Sequence, residues 1–223
     1  MKQEVYKAAL LRHSATIEEI RWSAHKLHQS VNQVYGKNLP YGFHLDMVAD
    51  EAREFGYLVC EKEDDVVPLL FGAYYHDSIE DARLTYNDVM KVARQYMSGD
   101  QALMATEIVY ALTNDKGRTR AERAGERYYA GIRETPYAPF MKLCDRVANI
   151  TFSCSEKDAD NLRMKEIYKQ EVPHFLASIN PHSDDPRFAV PSELVIQIAE
   201  QVLDEMQREE WLKGEGPSLA PSL

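Results

Sequence analysis

The run Val66-Val67-Pro68-Leu69-Leu70-Phe71-Gly72-Ala73-Tyr74-Tyr75-His76-Asp77-Ser78-Ile79-Glu80-Asp81 decides the reading of this chain. Ten apolar or aromatic residues come first, enough for nearly three helical turns that are buried all round. The helix is expected to begin after Asp64 and Asp65, to tolerate Pro68 in its first turn, where a missing N–H costs nothing, and to run to His76 and Asp77. It is the most apolar helix of the chain and is expected at its centre. A His-Asp pair directly after such a run is unusual, because bare charge there is costly unless paired or coordinated. Glu80 follows His76 by four residues and Asp81 follows Asp77 by four, so a continuing helix sets both acids beside the pair.

Outward from this run, apolar residues recur at helical spacing and no stretch alternates like a strand, which predicts an all-α fold. One helix is expected at about 15–34, with Ser14 or Thr16 near its cap, and a second from His44 to Gly56. Others are expected at about 86–97, 100–113, 119–132, 138–154, 157–178 and 191–213. The turn-forming segments around Pro136 and Pro181 are too short for interdomain linkers. The chain therefore reads as a single compact helical bundle over 1–213, followed by a frayed tail over 214–223.

Its 223 residues, 44% hydrophobic and 28% charged, are those of a globular protein able to bury a core without disulfides. No window approaches a membrane span and the first residues lack a leader pattern, so a cytoplasmic protein with no membrane partner is expected. Cys60, Cys144 and Cys154 form no CxxC pair and read as reduced structural thiols. A net charge of −10 argues against a nucleic-acid polymer as partner. A small phosphorylated ligand needs only a local cation cluster or a metal.

The chemistry concentrates in His44, His76, Asp77, Glu80, Asp81 and Asp145. Two imidazoles and several carboxylates on three expected helices suit a divalent ion with positions left for water and substrate. Any one of these residues alone would more often be a surface or satisfied core side chain. His25 and His28, three apart, lack an evident third ligand and read as an exposed polar face. Cys144 reads as packing beside Asp145, and no Gly-rich phosphate loop is present.

The segments Pro40-Tyr41-Gly42-Phe43-His44, Tyr75-His76-Asp77-Ser78-Ile79-Glu80-Asp81 and Lys142-Leu143-Cys144-Asp145-Arg146-Val147-Ala148-Asn149 resemble the motifs of HD-domain phosphohydrolases, particularly the RelA/SpoT-type alarmone hydrolases and their small stand-alone relatives. The resemblance covers about residues 20–155, with the helices over 157–213 as a C-terminal extension. It implies His44, His76, Asp77 and Asp145 as ligands of one divalent ion, usually manganese, and Glu80 and Asp81 as catalytic acids. It also implies that Asn149 contacts substrate or the water on the metal. Leu112-Thr113-Asn114-Asp115-Lys116 resembles the family's T-x-D-K stretch. Lys116, Arg118, Arg123, Lys142 and Arg146 form the pool of phosphate-binding cations.

Where that family carries a basic cluster before its P-Y-x-x-H motif, this chain has Ser30-Val31-Asn32-Gln33, with Lys37 nearby. The function implied is hydrolysis of a guanosine 3′-pyrophosphate nucleotide, a tyrosine or two stacking on the base. The alternatives are hydrolysis of a nucleoside monophosphate, deoxynucleoside triphosphate or cyclic nucleotide, and a silent nucleotide-binding sensor, against which intact Glu80 and Asp81 argue. The acidic helix expected near Glu205 to Trp211 is a candidate contact surface, and a homo-oligomer is a candidate assembly.

Overall fold

A computed structural model describes residues 1–114, 118–155 and 158–202 and is all-helical apart from one short hairpin. The helices are α1 (Gln3–Arg12), α2 (Ser14–Ser30), α3 (Gly42–Phe55), α4 (Val66–Tyr75), α5 (Tyr86–Ala93), α6 (Gly99–Leu112), α7 (Arg120–Arg123), α8 (Glu126–Glu134), α9 (Ala138–Ser155), α10 (Ala159–Ile179) and α11 (Ser192–Val202). Strands β1 (Val34–Tyr35) and β2 (Leu39–Pro40) pair antiparallel, Val34 opposite Pro40. The tail over 214–223 and the stretch from Glu205 to Trp211 lie outside the described residues, as does the expected helix beyond Val202.

Helix α4 is the hub. All ten of its residues are buried, and it packs against α2, α3, α6 and α9. Burying a Val, Leu or Phe side chain stabilises by about 1.5–3 kcal/mol, so α4 alone ties four helices together. Gly72 allows the closest of these approaches, since a Cβ there would lie 2.8 Å from Ile108 Cγ2 on α6. Helix α9 is the second hub, against α3, α10 and α11.

Several expected boundaries shift for local reasons. α1 lies ahead of the expected first helix; Tyr6 and Ala9 in it are fully buried, and the Tyr6 hydroxyl donates to the Ala52 carbonyl at 2.7 Å. α2 stops at Ser30 because Asn32 takes a φ of +57° and the chain turns into the hairpin, which no alternation announced. The helix expected over 119–132 is two, parted by Gly125, whose extended backbone caps α8. α4 ends at Tyr75 and residues 76–81 form turns, so helical spacing does not place Glu80 and Asp81. One helix-like bond persists there, from the Asp81 amide to the Asp77 carbonyl at 2.9 Å. Among the described residues no helix is long and apolar enough to cross a membrane.

Candidate metal centre

Three helices deliver the cluster. α3 carries His44 in its first turn, the end of α4 presents His76 and Asp77, and α9 carries Asp145 in its middle. α3 lies close enough to α2 for this only because residue 42 is glycine: a Cβ there would meet the His25 ring at 2.7 Å. Arg21 of α2 clasps Asp46 of α3 with Nε and Nη2 at 2.7 and 2.8 Å, and His25 Nε2 lies 2.9 Å from the same carboxylate.

His44 Nε2 and His76 Nε2 face each other at 3.2 Å, both rings buried. Asp145 Oδ1 lies 3.4 Å from His44 Nε2 and 3.8 Å from His76 Nε2. Donor atoms of these three residues lie within 4.8 Å of one another. Ligands about 2.0–2.2 Å from one ion stand roughly 3–4 Å apart, so these separations match the edges of a coordination polyhedron. His76 Nδ1 donates to the Ala73 carbonyl at 2.8 Å, which leaves the lone pair of the neutral ring on Nε2, toward the cluster. His44 Nδ1 is buried with no hydrogen-bond partner among the described residues, so there its protonation is set from the cluster side.

Asp77 Oδ2 lies 2.9 Å from His76 Nε2 and 3.6 Å from His44 Nε2, while accepting a short hydrogen bond from the Tyr41 hydroxyl. It borders both imidazoles with one oxygen already shared with a phenol. Burial would lift its carboxyl, but the charge and hydrogen bonds of His76 and His44 hold it well below the usual carboxylate range. Burial acts upward on Asp145 too, and Lys142 followed by the two imidazoles overrides it. Burial would lower the His44 imidazolium, yet hydrogen bonds to Asp145 and Asp77 carry it up to about 9. A cluster that gathers positive charge this strongly suits a cation in place of those protons.

The α9 face is legible as a helix face. Lys142, Asp145 and Asn149 stand three and four residues apart, hence on one side. Lys142 Nζ donates to Asp145 Oδ2 at 2.8 Å, and Asn149 Nδ2 donates to Asp145 Oδ1 at 2.6 Å. Both hold the carboxylate from behind. Asn149 Oδ1 accepts from the Tyr35 hydroxyl at 3.0 Å, and the Tyr35 ring stacks on His44 with centroids 4.8 Å apart.

These residues open on a cleft of about 720 Å³. Glu80 and Asp81 line it. Glu80 is exposed and its carboxylate is fixed by Asn114 Nδ2 at 2.9 Å. The Asp81 carboxyl is pushed up to about 6 by burial and by the charge of Asp77. Arg123 lines the cleft and is exposed, whereas Arg118, also exposed, does not line it. Lys116 lies outside the described residues. Arg146 lines the cleft but is paired with Glu171 at 2.8 Å. Tyr128 and Tyr129 line it as well, whereas Tyr74 and Tyr75 bond Arg53 and Ser23 and do not.

The exposed polar face expected for His25 and His28 is not found. His28 is fully buried and stacks on Tyr41 with centroids 4.6 Å apart and planes 16° off parallel. Its place was readable: Ile17, Ile20, Ala24 and His28 fall at intervals of three and four on the buried stripe of α2. The far wall of the cleft, with Tyr168, Glu171, His174 and Phe175 of α10, had no such signal, because the extension carries no motif. A second compartment of about 450 Å³ adjoins the cleft through Asn149 and Tyr168 and has Tyr35 and Phe152 in its walls. No protein-family model matches the chain, and no curated protein matches it.

Proposed function

We propose that this chain is a metal-dependent phosphohydrolase of the HD type, acting on a nucleotide. The observation that carries the reading is the pair of opposed Nε2 atoms of His44 and His76, 3.2 Å apart beside Asp145, next to a cleft that His44 and Asp145 line together with further acids. His44, His76 and Asp145, with Asp77 adjoining, would hold a divalent ion, which would supply a Lewis acid and make water nucleophilic near neutral pH. Asp81, with its carboxyl near 6, is matched to take the proton that the attacking water gives up. Glu80, steadied by Asn114, shares that role or positions the water. Arg123 offers an exposed cation to the phosphate, and the aromatic walls of the second compartment offer stacking faces to a base.

The first substrate to assay is a guanosine nucleotide with a 3′-pyrophosphate, cut to release pyrophosphate, because the motifs resemble that family's. A less charged nucleotide is the second reading. It is favoured by the internal pairing of the expected cations Lys142 and Arg146, with Asp145 and Glu171. Manganese-loaded protein is incubated with guanosine tetraphosphate and with a panel of mono-, tri- and cyclic nucleotides, and the products are separated. Pyrophosphate release from the first supports the alarmone reading; turnover of another nucleotide alone supports the second. No turnover of any, or full metal occupancy in Asp77→Ala together with Asp145→Ala, would sink the hydrolytic reading.

A further inference from the structure

The cations around the cleft are not equally available to a ligand. Arg146 follows Asp145 directly, and one residue turns a helix by about 100°, so its side chain leaves the face of Lys142, Asp145 and Asn149 for α10. There Nη1 donates to Glu171 Oε2 at 2.8 Å. The guanidinium carbon lies 5.0 Å from the ring centroid of Tyr168 and 4.4 Å from that of Phe175. The Arg146 side chain is 10% exposed and that of Glu171 31%, and both line the same cleft as Asp145. A cation is thus held between aromatic faces with a carboxylate on one edge, in the wall of a cleft whose other α9 cation, Lys142, is also paired.

We propose that Glu171 is a specificity-determining residue: its carboxylate competes with a substrate's second phosphate for Arg146. The cleft then favours substrates with one phosphoryl group at the metal cluster and no further phosphate reaching toward α10. This rests on the phosphohydrolase reading and narrows its substrate class. A guanidinium presents five donors in a rigid fork, and a phosphate can accept from two of them at once. With Glu171 in place, a phosphate arriving at Arg146 must displace one negative charge and approach it closely. With a neutral amide of the same shape there, the opposing charge is gone, only a weaker neutral hydrogen bond holds the fork, and its aromatic seat is unchanged.

The test is Glu171→Gln, with Glu171→Ala as a second variant should the first fail to fold. Each is titrated calorimetrically beside the wild type with orthophosphate and with inorganic pyrophosphate, at fixed free manganese and ionic strength. A charge-assisted hydrogen bond gained corresponds to about ten- to a hundredfold in affinity. Pyrophosphate is therefore expected to bind tighter by that factor in the variant while orthophosphate changes little. Adding Arg146→Ala should erase the gain. Equal tightening of both anions would mean a general field effect and overturns the proposal, as does no change in either. Wild type and variants that bind neither anion overturn the hydrolytic reading and this inference together. Binding of both anions alike by wild type and variant overturns the inference alone.

Discussion

Replacing Asp145 with Asn separates what this residue does for the fold from what it does for the cluster. Lys142 Nζ stands 2.8 Å from Asp145 Oδ2, and the two side chains are 15% and 11% exposed. Removing one partner of a buried pair leaves the other charge without compensation, at a cost of about 3–5 kcal/mol. The remaining exposure of Lys142 places this pair at the low end, about 3 kcal/mol, more than a hundredfold in the ratio of folded to unfolded protein. The double variant Lys142→Met, Asp145→Asn removes both charges, and replacing a whole buried pair is close to neutral, so most of the lost stability should return. Metal binding should not return with it, because the anionic donor is replaced by a neutral amide oxygen that binds a divalent ion far more weakly. Urea unfolding in the presence of chelator measures the first quantity and manganese calorimetry the second. A cost under about 1 kcal/mol for Asp145→Asn, or a double variant no more stable than the single one, would show that the ion pair is solvated and the reasoning wrong.

Three other perturbations test neighbouring parts of the site. Tyr41→Phe deletes the donor that holds Asp77, and losing such a supporting bond should weaken manganese binding about ten- to a hundredfold with the fold intact; unchanged affinity would leave Tyr41 as packing. Glu80→Ala and Asp81→Ala should each keep the ion and lose about 10²- to 10⁴-fold in turnover, and retained rates in both would hand the proton to another group. Burial holds the His28 imidazole down to about 4, so the unfolded chain binds more protons there than the folded one between pH 6.5 and 4. This contribution to stability is full above pH 6.5 and is lost as pH falls toward 4, at up to about 1.4 kcal/mol per unit. His44, raised instead of lowered, is already fully protonated in both states over most of that window, its stabilisation being lost only as pH rises toward 9. Comparing metal-free wild type with His28→Leu over this range should show stability falling more steeply in the wild type as pH drops, and parallel curves would refute it.

The all-helical class and the central place of α4 are properties of the sequence alone. A ten-residue apolar run has no solvent-facing side and must be enclosed, and periodicity at three and four residues reports one buried face per helix. The α9 face was equally legible, since residues at 142, 145 and 149 share a side in any helix. Spacing failed where the helix itself stopped. Glu80 and Asp81 sit on turns beyond Tyr75, and Asn114 and burial near Asp77 decide their surroundings. The same limit hid Tyr35 and Glu171. What the Tyr35 ring stacks on and which cation Glu171 claims depend on which surface meets which. A one-dimensional pattern says that a face is covered; only the packed structure names the atoms that cover it, and charge, tautomer and access at this cluster are set by those atoms.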